Sequence, residues 1–142
     1  MTDEKKTAVR QRWLLDTSAI LALRSDEPGA DRVAAVLRMA RRRDGSVLVS
    51  FMSRMELLYC VWRDEGEEAA RQAIRLLDAA AVRWVSCEPN ILEAAACIKA
   101  RGGLSVADAW IAATAQIHKA ILVHKDPEFA SLSEIEQEHL HA

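Results

Sequence analysis

Four acidic side chains stand where the pattern of the chain changes. Asp16 ends the apolar run Trp13-Leu14-Leu15, and Asp126 follows Ile121-Leu122-Val123 by way of His124-Lys125. Glu56 and Asp108 each come three residues after a serine, Ser53 and Ser105, early in helical patterns. Carboxylates brought together repel, and one or more takes up a proton unless a cation neutralises them. A site built only from carboxylate oxygens suits Mg2+ or Mn2+. The sequence holds no His and Cys set with zinc spacing. A hard divalent ion polarises a phosphoryl oxygen, lowers the pKa of a bound water and orients attack, which are the needs of phosphodiester hydrolysis.

Each acid also has a purely structural reading. Ser53-x-x-Glu56 and Ser105-x-x-Asp108 match the capping box, in which the acid satisfies a backbone N–H at a helix start. Asp16 suits the N-cap of a following helix. Asp126-Pro127 suits an ordinary turn.

The elements that must position these residues alternate along the chain. Short apolar runs predict strands at residues 13–15, 47–50, 82–85 and 121–123, with a short fifth strand near the C-terminus. Helical spacing predicts helices over 18–24, from Pro28 to 43, from Ser53 to Gly66, over 67–80, from Pro89 to 101 and from Ser105 to about 119. Nearly all-apolar strands are expected where both faces of a sheet are covered. The alternation predicts an α/β fold with a mainly parallel sheet, in which chemistry gathers beyond the carboxyl ends of the strands.

The 142 residues fit one domain, read as residues 12–142 behind a polar tail of residues 1–11, with order from Trp13. Half of the residues are apolar, 51%, enough for a full core. The net charge of −2 provides no global basic field, so nucleic-acid binding has to rest on a local patch. Arg38, Arg41, Arg42 and Arg43 form one such cluster. It reads either as the solvated end of a helix or as a phosphate-contacting edge. Arg42, Arg43 and Lys125 are the candidates to steer a phosphate backbone. Cys60, Cys87 and Cys97 are odd in number, lack C-x-x-C spacing and lie in apolar contexts, which predicts buried free thiols in a reducing cytosol. No signal-peptide pattern and no apolar run of about 20 residues is present, and the expected location is the cytoplasm, off any membrane.

Four segments resemble the motifs of PIN domains: L-L-D-T-S-A-I at 14–20, S-R-M-E-L-L-Y at 53–59, L-S-V-A-D-A-W-I-A-A-T-A at 104–115 and V-H-K-D-P-E-F at 123–129. Their order and spacing also agree, over about residues 13 to 130, and the size resembles the VapC toxins of bacterial toxin–antitoxin pairs. The resemblance implies a three-layer α/β/α fold around a central, mainly parallel sheet of four to five strands. It implies Mg2+- or Mn2+-dependent cleavage of RNA, with Asp16, Glu56, Asp108 and Asp126 as catalytic and metal-binding acids. Thr17 or Ser18 matches the hydroxyl residue that holds such a site in shape. It further implies a homodimer and a small antitoxin partner, for which Met55, Tyr59 and Trp62 are candidate contacts if they are not core. Trp110 and Ile117 are expected in the core. One position departs from the pattern: His124 stands where the fourth motif usually has Thr or Ser, and Glu128 is a rival ligand beside Asp126.

Two other classes fit an acidic α/β domain. A non-catalytic PIN-like binding module is expected to have lost acids, and all four are kept. A receiver-like signalling domain needs a phosphoacceptor Asp after a central strand, whereas residues 82–85 are followed by Ser86-Cys87-Glu88. Within the enzyme reading, a housekeeping RNA-processing nuclease is the alternative to a toxin.

Overall fold

The computed structural model describes residues 10–141. The expected tail therefore lies outside the described residues for positions 1–9. Strand β1 is Gln11–Leu15, two residues ahead of the expected start. Gln11 and Arg12 are solvent-exposed, so they carry no apolar signal, yet they pair with Gly45 and Ser46. After β1 come helices α1, Thr17–Arg24, and α2, Ala30–Arg41, then strand β2, Gly45–Ser50. Pro28 precedes α2 rather than opening it. The helix starts after Gly29, whose φ of 99° is open to glycine and strained for other residues.

Helices α3, Phe51–Glu65, and α4, Glu67–Ala79, lead to strand β3, Val82–Val85. Helices α5, Pro89–Arg101, and α6, Val106–His118, lead to strand β4, Ile121–His124. A 3-10 turn, Pro127–Ser131, and the short strand β5, Gln137–His139, follow. The five strands form one parallel sheet in the order β3-β2-β1-β4-β5.

Register and strand periodicity divide the core in two. Leu14, Leu48 and Leu122 are paired neighbours across the sheet, and all three point to the face covered by α5 and α6, among Ile91, Ile98, Ile111 and Phe129. Their strand neighbours Trp13, Leu15, Val47, Val49 and Val123 point to the other face, among Val33, Leu57 and Leu77 from α2, α3 and α4. Both faces are covered, which is why the strands read as unbroken apolar runs. The result is a three-layer α/β/α sandwich. Trp110 and Ile117 are half-buried against the first core, where Trp110 meets Phe51 edge-on.

The chain winds from β1 through β2 to β3 on one side, then returns to place β4 and β5 on the other. The winding direction therefore reverses between β1 and β4. In open parallel sheets the crevice at the carboxyl ends of such a strand pair is where ligands bind. Asp16 directly follows β1, and Asp126 stands two residues past β4.

One sequence expectation is corrected by solvent exposure. Cys87 and Cys97 are exposed, and Cys60 is half-buried. The inward face of α5 carries Ile91, Ala95 and Ile98, and Cys97 is rotated about 100° from that line. The arginine cluster lies away from the acids. Gly45 pairs with Gln11, so residues 41–43 sit at the amino edge of the sheet. That is about 17 Å, five strand residues, from the edge where Asp16 stands. Arg42 and Arg43 are thus helix-end residues, remote from the acidic edge. Among the described residues no helix is long and apolar enough to cross a membrane.

Candidate functional site

Asp16 is the N-cap of α1, and its carboxylate accepts the Ser18 N–H at 3.1 Å. It also accepts a short bond from the Ser18 hydroxyl. Capping and a role in the acidic cluster are therefore compatible at this residue. Asp16 is only 4% exposed. Burial pushes its carboxyl up to about 6, reinforced by the charges of Glu56 and Asp126 and opposed by the bonds from Ser18.

Glu56 arrives from α3. That helix begins at Phe51 with Ser50 as its N-cap, accepting the Met52 N–H at 3.1 Å. Ser53 is thus no cap, and the expected capping box at Ser53 and Glu56 does not form. Ser53 is instead fully buried, with its hydroxyl 3.0 Å from Thr17 Oγ1. Thr17 donates its one proton to Glu56 Oε1 at 2.7 Å, so Ser53 is the donor in the contact between the two hydroxyls. Ser53 and Glu56 lie on one side of α3. Met55, Tyr59 and Trp62, on the same helix, are each more than 40% exposed. Their reading as core residues is thereby corrected.

Asp108 is in the first turn of α6, where the Ser105 hydroxyl caps the helix by accepting the Asp108 N–H at 3.1 Å. Its carboxyl is pushed up to about 7, first by burial and then by the charges of Asp16 and Asp126, with Ser105 opposing. Asp126 caps the 3-10 turn, its Oδ1 accepting the Glu128 N–H at 2.9 Å. The turn brings Glu128 into the cluster: carboxylate oxygens of Asp108, Asp126 and Glu128 lie within 4.8 Å of one another.

The loop after β4 is tied to α1. Ser18 Oγ accepts the Lys125 N–H at 2.9 Å while donating to Asp16, so one hydroxyl joins the first and fourth acidic segments. Thr17 and Ser18 thus hold different acids. The sequence named either as a shaping hydroxyl and provided no means of dividing the work. Lys125 Nζ is 3.6 Å from Glu27 and adds one cation at the margin of this edge. Burial pushes the imidazole of His124 down from its ordinary value, against the opposing bond to Gln137.

The four acids picked from the sequence are therefore gathered at one sheet edge from four separate elements, with Glu128 as a fifth. Aspartates held at about 6 and about 7 mark a site whose negative charge lacks a counter-ion among the described side chains.

The fold recurs in solved structures. The chain is similar to VapBC2 of Rickettsia felis in its crystal structure with a promoter DNA fragment, at a TM-score of 0.76 and 17% identity over 92% of this chain and 100% of that one. It is similar to the DNA-bound VapBC of Salmonella typhimurium, at a TM-score of 0.71 and 17% identity over 92% and 98% of the two chains. It is also similar to VapC20 of Mycobacterium tuberculosis, a toxin that cleaves the sarcin–ricin loop, at a TM-score of 0.64 and 21% identity over 87% and 96%. At these identities the likeness speaks for the fold. A search of curated protein sequences returns no match. The PIN-domain family model matches residues 13–135, nearly the whole of the described chain, and the protein belongs to the PIN-domain family.

Proposed function

We propose that this PIN domain is a divalent-metal-dependent ribonuclease acting as the toxin of a toxin–antitoxin pair. The observation that carries the reading is the convergence of Asp16, Glu56, Asp108, Asp126 and Glu128 on the crevice between β1 and β4, with two of the aspartates pushed far up by burial and mutual repulsion.

The donor set fits Mg2+ or Mn2+. All five groups are carboxylates, and three present oxygens within 4.8 Å of one another, a span that one ion can bridge. Asp108, Asp126 and Glu128 present those three oxygens and would hold the ion, with Asp16 and Glu56 completing the acidic site around it. When bound, it supplies Lewis-acid polarisation of a phosphoryl oxygen and activates water for attack. The chain's own groups do the rest. Thr17 aims Glu56, Ser18 fixes Asp16 against the β4 loop, and Ser105 anchors the turn carrying Asp108. Glu56, turned toward the crevice by Thr17, is placed to accept a proton from water.

The partner part of the reading rests on α3. Met55, Tyr59 and Trp62 form an exposed apolar stripe, and residues of these types are enriched at protein interfaces. Similar chains come from a toxin–antitoxin complex of Klebsiella pneumoniae and from the VapBC family of toxin–antitoxin systems, which favours an antitoxin as partner, and a homodimer and a cytoplasmic location belong to the same reading.

Purified protein is expected to cut single-stranded RNA in Mg2+ or Mn2+ and to lose that activity in Asp16→Asn and Asp108→Asn. Cleavage that persists in chelator, or in both variants, rejects the metal-site reading. Expression that arrests growth only without a co-expressed antitoxin supports the toxin role. Cleavage without growth arrest points to an RNA-processing nuclease.

A further inference from the structure

His124 ends β4 two residues before Asp126 and is 2% exposed. Both ring nitrogens are engaged. Nδ1 lies 3.1 Å from the backbone nitrogen of Asp126, and Nε2 lies 2.9 Å from Oε1 of Gln137 on β5. Gln137 is itself oriented by its neighbours. Its amide nitrogen donates to the carbonyls of Phe129 and Leu132, each at 2.9 Å, which uses both hydrogens. The side-chain oxygen of Gln137 is therefore the atom that faces the imidazole.

Two constraints now select one state of the ring. A carboxamide oxygen only accepts, so Nε2 carries a proton. A backbone N–H only donates, so Nδ1 presents its lone pair. Both are met by the neutral Nε2–H tautomer and by no other form of histidine. Ring rotation is limited by Phe129, 5.0 Å away between centroids, and by the stacked ring of His139 at 5.1 Å.

The neighbouring amide is held as well, because Ser18 Oγ accepts the Lys125 N–H. Consecutive N–H groups leading to the acid are thus taken by two side chains from different elements. A Ser or Thr at position 124 can accept the N–H two residues on within the same turn. The imidazole of His124 makes that bond with Nδ1 and adds a link to β5 that a hydroxyl is too short to make.

We propose that His124 is a positioning residue of the acidic site. Its Nδ1 lone pair, set by Gln137 through Nε2–H, takes the Asp126 N–H and places the Asp126 and Glu128 carboxylates against Asp108. The inference rests on the metal-site reading above and assigns a task to a residue outside the carboxylate set.

The test separates the two ring nitrogens. His124→Asn puts a carboxamide oxygen near the place of Nδ1 and loses the link to Gln137. His124→Gln reproduces the Nε2 end and lacks the acceptor for Asp126. Mn2+ affinity of the full chain, read by titration calorimetry, is expected to stay within about threefold in His124→Asn and to fall about 10- to 100-fold in His124→Gln. Both variants lose a buried hydrogen bond, so both unfold at lower temperature, and stability is expected not to track affinity. Equal affinities in the two variants, with wild-type binding intact, overturn the proposal. Nitrogen NMR of the wild-type ring serves as a second arm that needs no variant to fold: a protonated Nε2 with a bare Nδ1 supports the assignment, and a protonated Nδ1 overturns it. Absence of Mn2+ binding in the wild type instead rejects the metal-site reading, and with it the ligand-placing role of His124.

Discussion

The hydroxyl of Thr17 donates to the carboxylate of Glu56 at 2.7 Å, joining the residue after Asp16 to an acid 39 positions along the chain. The same hydroxyl accepts from Ser53, which is completely buried. One side chain thereby docks α1 on α3 and aims an acid. Thr17→Val keeps the shape and removes both bonds. It is expected to destabilise the fold by about 1–3 kcal/mol in urea unfolding, because the Ser53 hydroxyl is left unpaired. Thr17→Ser should restore most of that loss. A Val variant as stable as wild type would show that the pair carries no net energy.

Ser18 has a different load. Its hydroxyl donates to Asp16 and accepts from Lys125, so Ser18→Ala releases the loop that carries Asp126. Divalent-ion affinity should fall about 10- to 100-fold, as for other groups that orient ligands. The acids themselves are all retained in this variant, so unchanged Mn2+ binding would mean that the loop is placed by packing alone.

The raised carboxyls set a pH dependence with a definite sign. Asp16 and Asp108 keep their protons to about 6 and about 7 in the folded protein, against about 4 for aspartate in an unfolded chain. Between these values the folded state binds more protons, so its contribution from these groups is complete below about pH 4 and is lost as pH rises through 6 and 7. Without divalent ions, Asp108→Asn should therefore unfold at a higher temperature than wild type at pH 8 and show no such advantage at pH 4. The gain is about 1 kcal/mol or less, since Asp108 is partly exposed and solvent screens it. Excess Mg2+ should stabilise wild type at pH 8 and do so less in the variant. A variant that melts with wild type at both pH values would refute the shift.

Gly45 provides a control at the other end of the sheet. A Cβ there would come within 2.5 Å of the Trp13 ring and 2.8 Å of the Gln11 carbonyl oxygen. Backbone pairing of β1 with β2 leaves little room to relax. Gly45→Ala is expected to cost about 1–3 kcal/mol in stability, as overpacking does. Mn2+ affinity of the folded protein should be unchanged, because the site lies at the opposite edge.

The sequence by itself determined the kinds of elements and where the acids fall among them. Buried strands must be apolar on both faces, so 82–85 and 121–123 are legible as strands without their partners. Ser105 and Pro89 are local signals, and they mark the starts of α6 and α5. Asp16 and Asp126 follow strands, and strand ends are where a parallel sheet exposes side chains to a crevice. Tertiary structure decided everything that depends on helix phase or on partners distant in sequence. Ser53 looks like a cap in sequence, but α3 begins two residues earlier and turns Ser53 toward Thr17. Cys97 sits among alanines, which suit either face of a helix, so only packing reveals that it points to solvent. That the arginines at 41–43 stand at the sheet edge opposite Asp16 is likewise known only from register. Glu128 joins Asp108 because a 3-10 turn follows Asp126, and His124 finds Gln137 because β5 pairs with β4. Residue type and short-range spacing fix an element's local conformation, whereas the identity of a side chain's neighbour is set by sheet order and register, which no local window contains.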